Sequence, residues 1–521
     1  MATESWTDRV DSTINDLVDP VSTLLNDLVF YEVNVFGASM PLIVAWLVIA
    51  GLVFSCYFGF VQVRRMPLAL RLVRGRYDQP DAAGELTHFQ ALTSAVSGTV
   101  GLGNIAGVAI AVSIGGPGAT FWMILCGFLG MATKFVECTL GVRYRKINED
   151  GTVSGGPMRY LTHGLAERGL PGLGKVLAFC SAVMILFFAF FGGNLFQVNQ
   201  SLEQLTAVTG KEDSIFASSG GSLAFGVVLA LLIGLVLLGG VKAIGRVTSR
   251  LVPAMALVYI AGCLIVIGFN VGSVPSALAT IVTEAFNPQG VAGGLIGALI
   301  IGFQRAAWSN EAGIGSASIA HAAVKTKRPA TEGLVASLEP FIDTVIVCTM
   351  TAVTIVIAGG PLYEGLREKA AAGEEVNTGT GAGISVTSDA FETALPWFPY
   401  VLTVAVLLFA FSTALTWSYY GLKTWSFLFG ESRASVLVYK VVFSLVTIAG
   451  ALLSLGALVD LSDAVLFGAA LFNIAGLYLL MPIVKRELRK VLDYARRKDA
   501  GDSDEEIERD EARAEEAAQA G

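Results

Sequence analysis

Charge is scarce in this sequence: Asp, Glu, Lys and Arg make up only 15% of its 521 residues, whereas 54% are hydrophobic. A soluble protein carries about 25% charged residues, so most of this surface cannot face water. The mean hydropathy is +0.65, and apolar runs of membrane-spanning length recur between residues 39 and 484. The composition excludes a string of soluble domains and predicts an all-α polytopic membrane protein.

Residues for disulfides and metal sites are also scarce. The six cysteines all lie in apolar runs without a CxxC pair, and the three histidines are widely spread. We therefore expect neither a disulfide framework nor a zinc site. The motifs GxxxxGK[ST], GxSxG and HExxH are absent, so we expect no ATP-driven pump and no enzyme. With no basic footprint, the chain predicts no nucleic-acid binding, and we see no sign of an obligate protein partner or cofactor.

Eleven apolar segments reach the roughly 20 residues that a helix needs to cross a bilayer core. They are residues 39–63, 92–115, 118–142, 174–205, 222–240, 251–271, 290–323, 334–358, 397–428, 435–456 and 460–484. We number these segments as spans 1 to 11. The predicted organisation is an N-terminal segment (1–38), one extra helix (39–63), a loop (64–91), five helices (92–271), five more (290–484) and a tail (485–521).

The distribution of basic residues predicts the orientation. With the N-terminus outside, the cytoplasmic loops and tail between residues 64 and 498 hold 24 Lys and Arg, and the external segments hold four. This asymmetry is what the positive-inside rule requires, so we expect a multi-pass protein of the cell membrane with its C-terminus in the cytoplasm. The last 23 residues hold ten acids and two arginines, which is typical of a disordered tail. The first 37 residues lack the pattern of a cleavable signal peptide.

Two spans contain features typical of a broken helix. Residues 97–107 hold four glycines, and residues 302–316 combine glycines with the charged residues Arg305 and Glu311. Glycine costs a helix about 1 kcal/mol relative to alanine, and unwound backbone in a membrane must line a cavity or pack against protein. We predict that both segments unwind. For the first segment alone, close packing through a GxxxG pair is the alternative.

The two predicted breaks lie five spans apart, so each begins a group of five helices. Because five is odd, the two groups enter the membrane from opposite sides and form an inverted repeat. Corresponding interruptions in two such repeats indicate the central site of a transporter. The pattern therefore predicts a secondary active transporter that works by alternating access.

At these residues the sequence resembles the alanine/glycine:cation symporters, also called sodium:alanine symporters. The matching segments are Thr99–Gly107 (TVGLGNIAG), Gly115–Met123 (GGPGATFWM), Ser154–Met158 (SGGPM), Ser309–Ser316 (SNEAGIGS), Ile319–Ala322 (IAHA), Phe409–Thr413 (FAFST) and Trp417–Gly421 (WSYYG). The resemblance implies a leucine-transporter-type fold with one extra leading helix, and uptake of alanine or glycine driven by sodium or sometimes by protons. The chain departs from the family pattern at Arg305-Ala-Ala-Trp308, where Arg-Gly-Leu-Phe is usual.

A zwitterionic amino acid needs hydrogen-bond donors for its carboxylate, and half-helix N-termini supply free N–H groups and a positive dipole end. The backbone of residues 101–103 is our main candidate for this role. The predicted substrate-binding residues are Thr99, Gly101, Leu102, Gly103, Asn104, Phe190, Phe191, Gln197, Asn310, Thr413 and Trp417. The aromatic members would form bulky walls around a small side chain, although ordinary core packing is the alternative for each of them.

Sodium prefers oxygen ligands, which hydroxyls and unwound carbonyls supply. Ser412, Thr413 and Thr416 lie within little more than one helical turn. The resemblance to the broader fold implies that they face the carbonyls of Ser97 and Val100 and form a sodium site. The alternative is that each hydroxyl bonds to the carbonyl four residues earlier in its own helix.

Several charged residues lie within the predicted spans, where each costs about 2.5–3.5 kcal/mol on insertion scales. Arg305, Glu311 and Asp343 are the predicted gate or coupling residues, with Arg305 and Glu311 closing one side of the site. Lys134 and Glu137 are one turn apart, so a structural ion pair between them is equally possible. A proton-coupled carrier of the same fold is the main alternative to sodium symport, and a channel is less favoured.

Overall fold

The computed structural model describes residues 6–35, 38–79, 81–287, 294–372, 381–453 and 456–520. The part of the predicted seventh span at residues 290–293 lies outside them. Most of the chain is helical. The helices up to residue 269 are α1 (Trp6–Val29), α2 (Leu42–Tyr57), α3 (Val61–Arg64), α4 (Met66–Val73), α5 (His88–Thr99), α6 (Ala106–Ile114), α7 (Ala119–Arg143), α8 (Pro157–Glu167), α9 (Pro171–Phe190), α10 (Phe196–Val208), α11 (Ser219–Leu238) and α12 (Gly240–Phe269).

The remaining helices complete the bundle and the tail. They are α13 (Val274–Phe286), α14 (Gly294–Asn310), α15 (Ala317–His321), α16 (Pro329–Ala336), α17 (Leu338–Pro340), α18 (Thr349–Ala358), α19 (Pro361–Ala371), α20 (Gly381–Ala394), α21 (Phe398–Phe429), α22 (Arg433–Gly450), α23 (Gly456–Ala500) and α24 (Asp504–Ala520). Two π-helical turns, Phe191–Leu195 and Phe341–Cys348, join α9 to α10 and α17 to α18. Short 3-10 turns lie at Leu102–Asn104, Lys211–Asp213, Ile215–Ala217 and Val271–Ser273.

Two antiparallel hairpins accompany the helices. One pairs β1 (Glu32–Val35) with β2 (Ala38–Pro41), and the other pairs β3 (Lys146–Ile147) with β4 (Val153–Ser154). The first hairpin leads from α1 into α2. Helix α1 packs beside α23, where the Asn26 amide donates to the Asp460 carbonyl at 3.2 Å.

The predicted spans coincide with apolar helices. Within the described residues eight helices are long and apolar enough to cross a membrane, and the bent pair α5 and α6 supplies a ninth if it is one span. These nine cover spans 2 to 6 and 8 to 11. Helix α2, at span 1, has 16 residues, and α14, in span 7, has 17. Each of these two helices therefore has fewer than 18 described residues.

Two parts of the chain add structure to the predicted organisation. The segment 272–289, between the two predicted groups of five helices, contains α13, whose Ala285 carbonyl accepts from the Trp122 indole N–H at 3.0 Å. The tail was predicted to be disordered, but residues 504–520 form α24. Ion pairs with loop cations explain the order: Glu508 lies 2.6 Å from Lys327, and Glu511 lies 2.7 Å from Arg328.

The loops rich in Lys and Arg lie on one end of the bundle. Arg71 on α4 contacts Asp499 near the end of α23, at 2.7 Å. Arg145, which follows α7, donates to the carbonyl of Ala83 at 2.7 Å. Together with the contacts of Lys327 and Arg328 to α24, these pairs bring three loops and the tail together. We call this end of the bundle the basic face.

Candidate substrate and ion site

The first broken helix is the bent pair α5 and α6. The chain bends by 61° between the two helices, and the connection consists of Val100, Gly101 and a 3-10 turn. The Gly101 N–H donates to the side-chain oxygen of Asn104 at 2.8 Å, so this asparagine replaces a lost backbone partner. Helix ends leave backbone groups without helical partners, which makes the break a source of groups for a ligand.

The second break separates α14 from α15. Glu311, Gly313 and Gly315 all have positive φ angles, of 54°, 101° and 92°, and this left-handed backbone cannot continue a right-handed helix. The Asn310 side-chain oxygen accepts the N–H of Ala312 at 2.9 Å. The Asn473 amide on α23 donates to the Gly313 carbonyl at 2.8 Å. Both breaks predicted from the glycine pattern are present.

A single carboxylate joins the two breaks. Asp343 is completely buried in the π-helical turn before α18. It accepts hydrogen bonds from the Asn104 amide at 2.6 Å, the Ser309 hydroxyl at 2.8 Å and the Thr344 hydroxyl at 2.7 Å. Asn104 belongs to the first break and Ser309 precedes the second, so Asp343 couples their positions.

The predicted sodium ligands lie on facing helices, α5 and α21. The Thr413 hydroxyl lies 3.1 Å from the Ser97 carbonyl, and the Ser97 hydroxyl donates to the Ser412 carbonyl at 2.9 Å. Val100 is one turn beyond Ser97 and is buried. Thr416 is one turn away from this group, because its hydroxyl bonds to the Ser94 carbonyl at 3.2 Å. Ser97, Ser412 and Thr413 are therefore in direct contact, and Val100 lies one turn from Ser97.

These oxygens have the chemistry that a sodium ion requires. They are hydroxyls and carbonyls in a buried position, which replace water without adding a full negative charge. No cluster of three or more His, Cys, Asp or Glu suited to a metal ion occurs among the described residues. The alternative, a hydroxyl bonded within its own helix, holds for Ser412, which donates to the Phe409 carbonyl at 3.0 Å. It does not hold for Thr413, whose acceptor lies on α5.

The aromatic walls differ in part from the predicted ones. Trp308 lies over the first break, since a Cβ added at Gly103 would be 2.8 Å from its ring. The rings of Phe196 and Phe188 lie 5.1 and 6.2 Å from Trp308, and Phe188 lies 4.6 Å from Trp417. Phe188, Phe196, Trp308 and Trp417 therefore form one aromatic group beside the break.

Phe190 and Phe191 contact other parts of the bundle. The Phe190 ring lies 5.7 Å from Tyr439 and 6.2 Å from Phe443 on α22. Phe191 stacks on Phe187 at 5.9 Å. The π-helical turn that begins at Phe191 changes the helical register, and sequence spacing alone contains no signal for it.

Gln197, on α10, was predicted as a polar contact and lies beside the first break. Its amide nitrogen donates to the Gly192 carbonyl at 3.1 Å. Its oxygen is buried and has no hydrogen-bond partner among the described residues, and it lies 3.5 Å from a Cβ added at Gly101. An unpaired buried acceptor is costly, so this oxygen is positioned to accept from a ligand at the break.

The predicted gate residues have separate partners. No ion pair between Arg305 and Glu311 occurs in the described part of the chain. Glu311 accepts from the Ser316 hydroxyl at 2.6 Å. Arg305 is close enough to Asp460 and Asp463 on α23 for their charges to interact. Arg305 and Glu311 therefore interact with different elements, Arg305 with acids on α23 and Glu311 with Ser316 at the start of α15.

A buried charged network lies between the site and the basic face. Lys134 pairs with Glu339 at 3.0 Å, whereas the nearby Glu137 accepts from the Asn473 amide at 2.8 Å. Glu332 bridges His88 on α5 and His321 on α15. A structural ion pair of Lys134 with Glu137 was one of two possibilities from the sequence; Lys134 instead pairs with Glu339 on another helix. One indication of this network was present in the sequence, because the acids Glu137 and Glu339 lie within predicted spans.

Comparison with known proteins agrees with this arrangement. Residues 23–509 match the sodium:alanine symporter family. The sodium/alanine symporter AgcS of Methanococcus maripaludis is 37% identical over 452 residues, which cover 86% of this chain and 94% of that protein. The amino-acid carrier protein AlsT of Bacillus subtilis is 33% identical over 453 residues, which cover 87% and 89%.

A solved structure supports the fold. MhsT in complex with L-phenylalanine aligns with a TM-score of 0.52 and 16% identity over 76% of this chain and 88% of that chain. At this identity the likeness shows the leucine-transporter-type fold alone. The broken helices, the apolar bundle and the match over nearly the whole length together show that this chain belongs to the sodium:alanine symporter family, a multi-pass membrane transporter that works by symport and not an enzyme.

Proposed function

We propose that this protein imports alanine or glycine together with sodium by alternating access. The observation that carries the proposal is the contact of the Thr413 hydroxyl with the Ser97 carbonyl beside the first break, where the absence of a side chain at Gly101 leaves room for that hydroxyl. Membership in the family and the similarity to a sodium/alanine symporter support it. The substrate carboxylate would bind the N–H groups of Leu102 and Gly103, since that of Gly101 donates to Asn104, and its ammonium would face the Gln197 oxygen.

The aromatic group favours a small substrate. Trp308 and Trp417 have large rings. The Trp308 ring is so close to the first break that a Cβ added at Gly103 would clash with it. A small side chain such as hydrogen or methyl therefore suits the space beside the break. Asn310 bonds to Thr344 at 3.0 Å, so we propose that it supports the second break rather than the substrate.

We further propose the predicted membrane topology. Eleven spans, with the first outside a five-plus-five inverted repeat, would place the N-terminus outside. The basic face would then be cytoplasmic, as the positive-inside rule requires. The contacts among loops 64–91, 143–173 and 324–333 support this assignment, because all three carry basic residues and meet at one end.

Uptake into proteoliposomes tests the proposal. Radiolabelled alanine and glycine would be supplied with an inward sodium gradient, with potassium alone, or with an inward proton gradient. We expect accumulation above equilibrium only with sodium. Equilibration without accumulation would contradict symport, and leakage without saturation would indicate a channel.

Proton coupling is the second candidate, because carboxylates adjoin both breaks. Glu311 lies in the second break, and Asp343 contacts both of them. Accumulation with a proton gradient in the absence of sodium would favour this candidate and overturn the sodium proposal. Glu311→Gln and Asp343→Asn would then distinguish the proton-carrying residue.

A further inference from the structure

The chain segments outside the two broken helices are joined at the basic face. Residues 83–87 precede α5, and residues 322–326 follow α15. The N–H of Leu86 donates to the Ala323 carbonyl at 3.0 Å, and the N–H of Lys325 donates to the Leu86 carbonyl at 2.8 Å. We call these two paired segments the basic-face joint.

The two backbones of the joint are very close. Gly84 has a φ of +147°, and a Cβ added there would lie 2.3 Å from the Val324 carbonyl oxygen. No side chain fits in this position, so glycine is required for the close approach. The pairing therefore depends on the glycine at this position, and it connects the ends of both broken helices directly.

Arg145 holds the joint from a third element. Its guanidinium donates to the carbonyls of Ala83 at 2.7 Å, Ala322 at 2.8 Å and Thr326 at 2.9 Å, and also to that of Val324. Arginine presents five donors in a rigid plane, which suits acceptors from two chain segments. Burial lowers the pKa of Arg145 from its ordinary value, which reflects a largely desolvated guanidinium.

A second layer lies above the joint, towards the membrane centre. Glu332 bonds to His88 at the start of α5 and to His321 at the end of α15. Beyond it, Cys138 on α7 packs in a small buried cluster with Ala95 and Ala317, which belong to the two broken helices. Any separation of the two broken helices at the basic face would expose Cys138.

We propose that Arg145 is a gating residue that keeps the transporter closed at the basic face. The inference rests on the proposed alternating access, in which the site opens to each side in turn. Opening at this face requires residues 83–87 to leave residues 322–326. Arg145 must then give up either its bond to the Ala83 carbonyl or its bonds to the carbonyls of residues 322–326. A residue that merely supported the α7 loop would not need acceptors on both segments.

The test uses the native Cys138 as a reporter. The other five cysteines (Cys56, Cys126, Cys180, Cys263 and Cys348) are replaced by alanine or serine. The full chain is placed in vesicles with the basic face accessible, and a small charged methanethiosulfonate reagent is added without sodium or amino acid. The rate of Cys138 modification is compared between Arg145→Gln and the parent.

The matched control is Arg143→Gln, two residues earlier. Arg143 is exposed and pairs with Glu487 at 3.4 Å, on the same face. We expect Arg145→Gln to raise the modification rate about tenfold or more, because losing the charged hydrogen-bond bridge between the two segments, which exists only in the closed state, raises the open population. We expect Arg143→Gln to leave the rate within about twofold.

Two further variants keep the result decisive if Arg145→Gln does not fold. Arg145→Lys retains the charge but lacks the planar donors, so it should raise the rate by an intermediate factor. Gly84→Ala inserts a Cβ into the joint without touching Arg145, and it should also raise the rate. Unchanged modification in folded Arg145→Lys and Gly84→Ala proteins, or an equal rise in Arg143→Gln, would overturn the proposal.

This readout is separate from the proposed function. Cys138 modification is measured without substrate, so faster modification supports the gate even if neither alanine nor glycine is transported. Conversely, sodium-driven uptake with an unchanged modification rate would retain the proposed function and reject the gate.

Discussion

Thr413 and Ser97 come from helices more than 300 positions apart, yet their oxygens are 3.1 Å from each other. The Thr413 hydroxyl therefore does not donate to a carbonyl of its own helix. This distinguishes Thr413 from Thr424 on the same helix, whose hydroxyl bonds to the Tyr420 carbonyl four residues earlier. The contrast allows a clean comparison of the two threonines.

Thr413→Ala should raise the sodium concentration that gives half-maximal uptake by about tenfold or more. A hydrogen bond or ligand contact to a charged group is worth about 1.5–3 kcal/mol, and each 1.4 kcal/mol changes binding about tenfold. The measurement is uptake against sodium concentration in proteoliposomes. Thr424→Ala is the control and should leave the curve unchanged; equal effects of both variants would remove Thr413 from the ion site.

Gly103→Ala should reduce uptake strongly, and Gly107→Ala should not. The added Cβ at Gly103 would lie 2.8 Å from the Trp308 ring, whereas nothing lies within 4 Å of one at Gly107. Trp308→Phe in the Gly103→Ala background should restore part of the uptake, because the smaller ring frees the space. Both variants need the same expression level. A loss in Gly107→Ala would instead favour GxxxG packing as the role of these glycines.

At the scale of single elements, glycine and polar composition predicted the breaks correctly. Residues 97–107, which hold four glycines, contain the bend of 61°. The second break contains Gly313 and Gly315 at positive φ. Both breaks follow from the conformational freedom of glycine, which is a local property and can be read from the sequence. The extra register change at residues 191–195 was not predictable, because residue spacing contains no signal for a π-helical turn.

Gly315→Ala should lower the free energy of unfolding by about 1–3 kcal/mol, because a side chain at φ +92° is strained. The added methyl would also meet Pro157 at 3.0 Å. The measurement is the thermal midpoint of the purified protein in detergent. Gly234→Ala is the control: it lies in α11 with nothing within 4 Å, so alanine there should raise the midpoint slightly. A higher midpoint for Gly315→Ala would contradict the assigned strain.

At the scale of the whole molecule, the tail is part of the basic face. Helix α24 brings Glu508 and Glu511 to Lys327 and Arg328, in the loop that continues the basic-face joint. Ile507, on the same helix, is fully buried. Acid composition predicted a solvated tail, but the positive charge of the loops on this face attracts it.

Glu511→Gln should release α24 more often and speed its cleavage by trypsin by a factor of about 1.4 to 5. An ion pair near the surface is worth about 0.2–1 kcal/mol, which corresponds to that range. The assay is limited proteolysis of the purified protein at low and high salt. Glu505→Gln, an exposed position on the same helix, is the control. Equal cleavage of both variants at low salt would mean that Arg328 does not hold the tail.

The sequence by itself determined the membrane class, the helices and the two breaks, because apolar length and backbone freedom are local properties. It also identified Ser97, Gly101, Gln197 and Thr413, which lie together at the first break. Helical spacing shows which residues share a face but cannot show which neighbouring helix that face meets.

Only the tertiary structure decided the partners. Lys134 pairs with Glu339 instead of Glu137, and Phe188 and Phe196 face Trp308 in place of Phe190 and Phe191. The basic-face joint also follows from the tertiary structure alone. There Arg145 connects the segment that precedes one broken helix with the segment that follows the other. A buried charge or donor selects its partner by proximity in the folded bundle, because an unpaired group in a membrane interior is costly.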